Sequence, residues 1–598
     1  MDSSVIARRL AALREVMRRE RLDAFVFPST DPHNSEYTPD RWKGREWISG
    51  FNGSAGTAVV TTDAAALWTD SRYFLAAAEQ LSGTEFKLMK LKVPGTPTIS
   101  EWLGSQLRNR NAQVGVDGMV NAEADVEALI ADMRRQGGIT VRTNFDPLRD
   151  IWTDRPPVPN NKVVIQPMEY AGETVASKIT RVRQALREQH ADGMLVSALD
   201  EVAWLLNLRG SDVHCNPVFV AYVIISPQDV TLYINKEKLT PDVTAYLAAE
   251  GVGVREYKEV ERGLMDYFAY NILLDPHQTC YTLYNKVDVH EIIRQPSPIA
   301  AMKAVKNEAE IRGFRNAMLR DGVALVKFLR WLKPAVEAGG QTEMSVDRKL
   351  TSLRAAQPLF KDISFDTIAG YGPHGAIVHY EATPETDAEL EPRGFLLLDS
   401  GAQYQDGTTD ITRTIPLGPL TDEERKVYTL VLKGHIQLEL CKFPDGACGT
   451  QIDALAREAM WREGMNFLHG TGHGVGSYLN VHEGPHQIRM EYMPAPLHAG
   501  MTVTDEPGLY LADRFGVRIE NMLIIEPYLS TEFGRFLQMD ALTLCPIDTA
   551  PIIPSMLLPE EVEWLNSYHR RVWEALSPLL EDAGDREWLK EATRRITT

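Results

Sequence analysis

Phe395-Leu396-Leu397-Leu398-Asp399-Ser400-Gly401 is an apolar run of strand length that ends in a carboxylate. Gly407-Thr408-Thr409-Asp410-Ile411-Thr412-Arg413 brings a second carboxylate back along what reads as the returning strand. Buried strands seldom finish on an acid unless its charge has a partner, so the pair marks a site. Register decides whether the two acids can share one. A two-residue turn at Asp406-Gly407 would set Asp410 against Gln403 and leave Asp399 about 13 Å away along the strand. A longer turn centred near Tyr404-Gln405 would put Asp399 opposite Asp410 on one face, and this longer turn is the expectation.

Downstream, His469-Gly470-Thr471-Gly472-His473-Gly474-Val475-Gly476 places two histidines at i, i+4, but its interleaved glycines make a helix costly. It reads as a loop or irregular strand in which backbone can approach a ligand closely, with one histidine free to bind metal and the other to touch substrate. Met501-Thr502-Val503-Thr504-Asp505-Glu506-Pro507-Gly508 is a strand stopped at Glu506 by proline and glycine. In Val517-Arg518-Ile519-Glu520-Asn521-Met522 the period of two puts Arg518 and Glu520 on one face. Four carboxylates at strand ends and one imidazole make the donor set of a two-metal site, whose shared water loses a proton near neutral pH and becomes the nucleophile of a hydrolysis. Hard oxygen donors with one nitrogen favour Mn²⁺, with Zn²⁺ or Co²⁺ as alternatives.

The rest of the chain frames this site. At 598 residues it exceeds what one core supports, and with 44% hydrophobic and 24% charged residues it has an ordinary globular composition. A net charge of -19 disfavours nucleic acid and anionic membrane surfaces as partners. The basic run Arg18-Arg19-Glu20-Arg21 lies on a helical face and does not alter that. Cys215, Cys280, Cys441, Cys448 and Cys545 are scattered without any C-x-x-C pair, which suits a reducing compartment. The N-terminus lacks a signal-type apolar core, and the longest apolar stretch, 218–225, is too short to span a bilayer. The expectation is a cytoplasmic protein, in which the sequon Asn52-Gly53-Ser54 has no role.

Proline-rich breaks at 155–161 and 295–298 divide the chain into three expected domains, 1–155, 156–300 and 301–598. The first two read as divergent copies of one α/β unit. Each opens with a basic amphipathic helix (10–21 or 179–189), then a short apolar strand (24–27 or 194–196), an aromatic helical stretch closed by Gly50 or Gly210, and a strand pair. The third domain opens with a helix over 306–332 that Pro334 is expected to end.

These motifs resemble, in order and wording, the metal ligands of the pita-bread metallopeptidases, the family of methionine aminopeptidase, prolidase, aminopeptidase P and creatinase. HGTGHGVGSYLNVHEGP over 469–485 and DSGAQYQDGTTDITRT over 399–414 are similar to the long, three-domain form of aminopeptidase P, as are NLRGSDV over 207–213 and GPHGAIVHY over 372–380. The resemblance implies an α/β (α+β) architecture: two related creatinase-like N-terminal domains, then a pita-bread catalytic domain. It implies a homodimeric, two-metal enzyme that cleaves the N-terminal residue from peptides with proline second. It assigns Asp399, Asp410, His473, Glu506 and Glu520 as metal ligands, Asp410 and Glu520 bridging. His379, His469 and His482 would bind the substrate carbonyl and shuttle protons, Glu506 would assist the attacking water, and Arg518 and Tyr510 would support them. A bond to proline is a tertiary amide without an N–H, so the site must hold the free amine and grip the ring instead; Phe360, His379 and Tyr510 are candidates for that pocket.

Cys215, where the family leads us to expect a histidine or other polar residue, reads as an inert small side chain. Prolidase has the same ligands but takes only dipeptides, and a binding protein on this fold would not keep all five. Gly370-Tyr371-Gly372-Pro373-His374-Gly375 fits G-x-G-x-x-G, yet its internal proline and the strand-like 376–380 that follows speak against a dinucleotide site.

Overall fold

In the computed structural model, which describes residues 1–108 and 111–597, Asp2 accepts a hydrogen bond from the Ser4 amide and starts a helix over Ser3–Arg19. Its buried stripe of Ile6, Leu10, Leu13, Val16 and Met17 is the expected amphipathic face. The next helix, Gly44–Ser49, ends at Gly50 in the left-handed conformation, as its sequence anticipates. In the second copy the corresponding helix, Leu199–Leu206, is capped instead by Asn207 at φ 50, because asparagine also tolerates that conformation, and Gly210 lies beyond it.

The two copies share one sheet plan. In the first sheet the spatial order is Phe86–Lys90, Ala65–Thr69, Thr57–Thr61, Ala24–Phe27, Gln113–Gly115, Thr140–Arg142. The second runs Gly253–Arg255, Val230–Ile234, Ala221–Ile225, Met194–Val196, Asn271–Leu274, Glu291–Arg294. In chain order both read fourth, third, second, first, fifth, sixth. The pattern of parallel and antiparallel pairs is also the same. Duplication is thus visible in topology as well as in sequence. By compactness the chain forms two units, Met1–Ile165 with Thr174–Ala300, and Gln166–Glu173 with Ala301–Thr598.

The long helix of the second unit, Glu308–Ala338, is fixed at its start by a capping box between Asn307 and Glu310. Pro334 does not end it. The residue sits within the last turns, where the buried Val336 holds the helix to the core, and Gly339 forms the cap. Antiparallel sheets then alternate with helices. Val427, Val431 and Leu432 of the helix Asp422–Glu439 pack with Leu523, Ile525, Leu537 and Met539 of a four-stranded sheet.

The expected long turn between Asp399 and Asp410 is not formed. Phe395–Ser400 pairs with Ile411–Pro416 so that Asp399 faces Thr412, and Tyr404 pairs with Gly407 across a two-residue turn, Gln405-Asp406. Distant residues set this register. Arg320 forks onto Asp406, and a Cβ on Gly313 would lie 2.1 Å from the Asp406 carbonyl oxygen. Asp410 reaches the site through a break in the ladder: Thr409 Oγ1 accepts from the Ala402 amide and Ser364 donates to the Thr409 carbonyl. The segment 376–380 is likewise no strand. A 3-10 turn over Gly372–Ala376 continues into a turn closed by Tyr380 N–H to the Ile377 carbonyl. All five cysteines are free thiols, Cys215 among the buried ones. Among the described residues no helix is long and apolar enough to cross a membrane.

Candidate metal centre

Asp505 pairs with Asn521 at the end of the ladder between Thr502–Asp505 and Asn521–Thr531, so Glu506 and Glu520 are the next residue on each strand. Glu520 is bridged to Thr412, whose hydroxyl donates to Glu520 Oε1 at 2.8 Å. The buried Arg413 guanidinium donates to the Glu520 carbonyl at 2.8 Å and to Asn521 Oδ1 at 2.9 Å. Thr412 and Arg413 lie within a recognised motif, but their support of Glu520 was not legible, since that partner lies far along the chain.

His473 comes from the short strand Gly472–Gly474, tied to this sheet by its amide, which donates to Thr504 Oγ1 at 3.1 Å. A Cβ on Gly472 would lie 1.9 Å from the Thr504 carbonyl oxygen, so only glycine permits the approach. His473 Nδ1 lies 2.7 Å from the Gly474 carbonyl, which can only accept; Nδ1 therefore carries a proton and Nε2 is the nitrogen that faces the site. Nε2 is 3.3 Å from Asp410 Oδ2 and 3.3 Å from Glu506 Oε2. Ligand atoms of Asp410, His473, Glu506 and Glu520 all lie within 4.8 Å of one another.

Asp399 joins them electrostatically. Burial foremost, opposed by Arg518 and assisted by Asp410 and Glu506, pushes its pKa up to about 7. Burial, then Asp410 and Glu506, drive Glu520 well above the usual carboxylate range. Against burial, contacts with Asp410 and Glu506 hold His473 well above its ordinary value. Also against burial, Glu520 and His473 hold Glu506 well below. Acid charge thus exceeds base charge in a largely buried pocket. Asp399 Oδ1 and Glu520 Oε2 are buried without a hydrogen-bond partner, which fits a pair of divalent cations.

Beyond the acids, Arg518 Nη1 donates to the Tyr510 hydroxyl at 2.8 Å, which lies 2.7 Å from His469 Nε2. His469 Nδ1 faces the Gly470 carbonyl, so Nε2 accepts from Tyr510; burial lowers the His469 pKa to about 4 and raises that of Tyr510 to about 12. Arg457, another residue the sequence did not announce, steadies this loop by donating to the carbonyls of Phe467 and His469. The His482 ring stands edge-on to His473, 4.5 Å between centroids. His379 is half-buried just past the turn Gly372–Ala376. That turn lies flush on the strand bearing Arg518, since a Cβ on Gly516 would be 1.9 Å from the Gly375 oxygen. Phe360 packs with Ala317, Ala402 and Tyr404 and is not brought to the cluster.

Known proteins match the whole of this chain. The Creatinase/Prolidase N-terminal domain is matched over residues 9–137 and again over 154–310, metallopeptidase family M24 over 312–527, and the C-terminal region of peptidase M24 over 535–596. Aminopeptidase P1 of Lotus japonicus is 40% identical, over 98% of this chain and 99% of its own. Xaa-Pro aminopeptidase 1 of Dictyostelium discoideum is 40% identical over 100% of this chain and 97% of its own. The crystal structure of X-prolyl aminopeptidase from Caenorhabditis elegans, a cytosolic enzyme with a di-nuclear active site, matches with TM-score 0.94 and 35% identity over 99% of this chain and 100% of that one. The chain therefore belongs to metallopeptidase family M24 and, within that family, to the aminopeptidase P group of Xaa-Pro aminopeptidases.

Proposed function

We propose that this chain hydrolyses the bond between the first residue of a peptide and a proline in second position, and that Asp399, Asp410, His473, Glu506 and Glu520 hold two divalent cations to do so. Convergence of Asp410, His473, Glu506 and Glu520 within 4.8 Å carries the proposal. Bound there, such a pair supplies Lewis acidity toward the scissile carbonyl and toward an attacking water. Asp410 and Glu520 would hold the pair together with Asp399, His473 and Glu506. Mn²⁺ is the preferred ion, because four carboxylates outnumber one imidazole.

Glu506, whose Oε2 lies beside His473, takes the proton of the attacking water. His482 and His379 take the substrate carbonyl and return a proton to the proline nitrogen, which must leave as an amine. His469 has both ring nitrogens engaged within the protein, so its part is to orient Tyr510 and, through it, Arg518. The resemblance supports a cytosolic homodimer acting on peptides, and the net charge of -19 speaks against nucleic acid and anionic membrane surfaces as partners. We take 155 and 300 as working domain limits.

The test compares a Xaa-Pro dipeptide with a Xaa-Pro-Yaa-Zaa peptide, using chelator-stripped protein before and after Mn²⁺ is restored. The longer peptide should be cleaved faster, and only with metal present. Preference for the dipeptide would make the enzyme a prolidase, and turnover without metal would refute the ligand assignment.

A further inference from the structure

A second group of metal-ligating side chains lies behind the catalytic acids, and the proposed reaction does not use it. His435 and Glu439 are four residues apart on the helix Asp422–Glu439, which puts them on one helical face. Asp505 is the last residue of the strand Thr502–Asp505. Strand alternation turns it away from its neighbour Glu506. Glu506 meets His473 in the catalytic pocket, whereas Asp505 meets His435 on the helix side.

All three residues are buried, His435 and Asp505 at 0% exposure and Glu439 at 6%, with donor atoms within 4.8 Å of one another. His435 Nδ1 is 3.1 Å from the Asp505 main-chain oxygen and 3.3 Å from Asp505 Oδ2, and Nε2 is 3.9 Å from Glu439 Oε2. A carbonyl only accepts, so Nδ1 carries the proton and Nε2 presents a lone pair. That lone pair, Glu439 Oε2 and both carboxylate oxygens of Asp505 have no hydrogen-bond partner. Nε2 and Glu439 Oε2 thus face each other as two acceptors in a buried pocket, while the Nδ1–H side of the ring is turned to Asp505. The guanidinium nearby, Arg571, donates to Asp540 and to the Ala541 carbonyl, and the Trp564 ring stands edge-on to His435 at 5.8 Å. A cation between Nε2 and Glu439 would satisfy these acceptors.

We infer that His435 Nε2, Glu439 and Asp505 bind a third divalent cation, structural in role, across the strand from Glu506. Two carboxylates and a neutral imidazole cancel its charge. The Nδ1–H to carbonyl contact fixes the tautomer that a ligating histidine requires. Two oxygens and one nitrogen suit Zn²⁺ or Mn²⁺. The ion joins the helix to the end of the strand, and so sets where Glu506 emerges.

Full-length protein is crystallised as purified, and again after reloading with Mn²⁺ alone or Zn²⁺ alone. Anomalous difference maps are recorded at both metal edges, with metal content measured by mass spectrometry. The expected result is a peak within about 2.5 Å of His435 Nε2, separate from any beside Asp410, and about one ion per chain fewer in Glu439→Gln than in the parent protein. Peaks at Asp410 and Glu520 with none at His435 would overturn this cation and leave the peptidase site standing. A water there, or no anomalous signal anywhere, would overturn it as well. The parent protein's map decides even if the variant does not fold.

Discussion

Both hydrogen bonds that Arg518 sends to Asp399 land on one oxygen, Oδ2, from Nε at 3.2 Å and from Nη2 at 2.8 Å, leaving Oδ1 buried and unpaired. The guanidinium thus holds the carboxylate by one oxygen and leaves the other for a cation. Lysine cannot reproduce this fork and cannot reach Tyr510 at the same time. Arg518→Lys should therefore weaken activation by Mn²⁺ about 10–100-fold, the usual cost of losing a group that orients a ligand. Titrating metal-stripped enzyme with Mn²⁺ measures this; unchanged activation would show that Arg518 serves substrate alone.

Glu520→Gln should abolish turnover, yet raise the stability of the metal-free protein. Without cations, Glu520 crowds Asp410, Glu506 and Asp399, and its carboxyl is driven well above the usual range, burial contributing most. A neutral amide relieves that repulsion. In chelator, the variant should melt higher than the parent. With Mn²⁺ the order should reverse, because only the parent gains stability from binding. Parallel melting curves in both conditions would argue against Glu520 as a ligand.

Much of the site could be seen in the sequence, because its ligands sit where apolar strands stop. Asp399 closes an apolar run, and Glu506 and Glu520 flank the ends of paired strands. The N-terminal strands Ala24–Phe27, Thr57–Thr61 and Met194–Val196 also fall where short β-branched and aromatic runs place them. Long-range constraints were hidden. The hairpin register depends on Arg320 and Gly313, a helix away from the turn they fix. Pro334 stays helical because a packed core outweighs one lost hydrogen bond. His435 and Glu439 look like ordinary helix residues until Asp505 is brought against them.

Gly472→Ala tests how far the site depends on close backbone contact. The added methyl would meet the Thr504 carbonyl oxygen at 1.9 Å, and backbone cannot swing aside as a side chain can. The strand bearing His473 must then part from the strand leading to Glu506, with a loss of about 2–4 kcal/mol or more. Metal content and Mn²⁺ activation should fall together with stability. Gly470→Ala is the control, since its Cβ would meet nothing closer than 3.8 Å. If the two variants behave alike, the contact is not what places His473.

Acid sensitivity should be traceable to histidines that are buried neutral, and His569 is the clearest case. It is fully buried, and its Nε2 accepts from the Ile547 amide at 3.0 Å, a bond only the unprotonated nitrogen can make. Burial foremost, then the Arg413 guanidinium, lowers its pKa from 6.5 to about 4. The unfolded chain takes up a proton below about pH 6.5, whereas the folded chain resists until about pH 4. The stabilisation is therefore complete above 6.5 and fades as pH falls toward 4, a loss of roughly 3 kcal/mol over that window. His569→Gln keeps an acceptor for Ile547 but cannot titrate. Urea unfolding at pH 7 and pH 5 should show a smaller drop in midpoint for the variant than for the parent, and equal drops would place the acid sensitivity elsewhere.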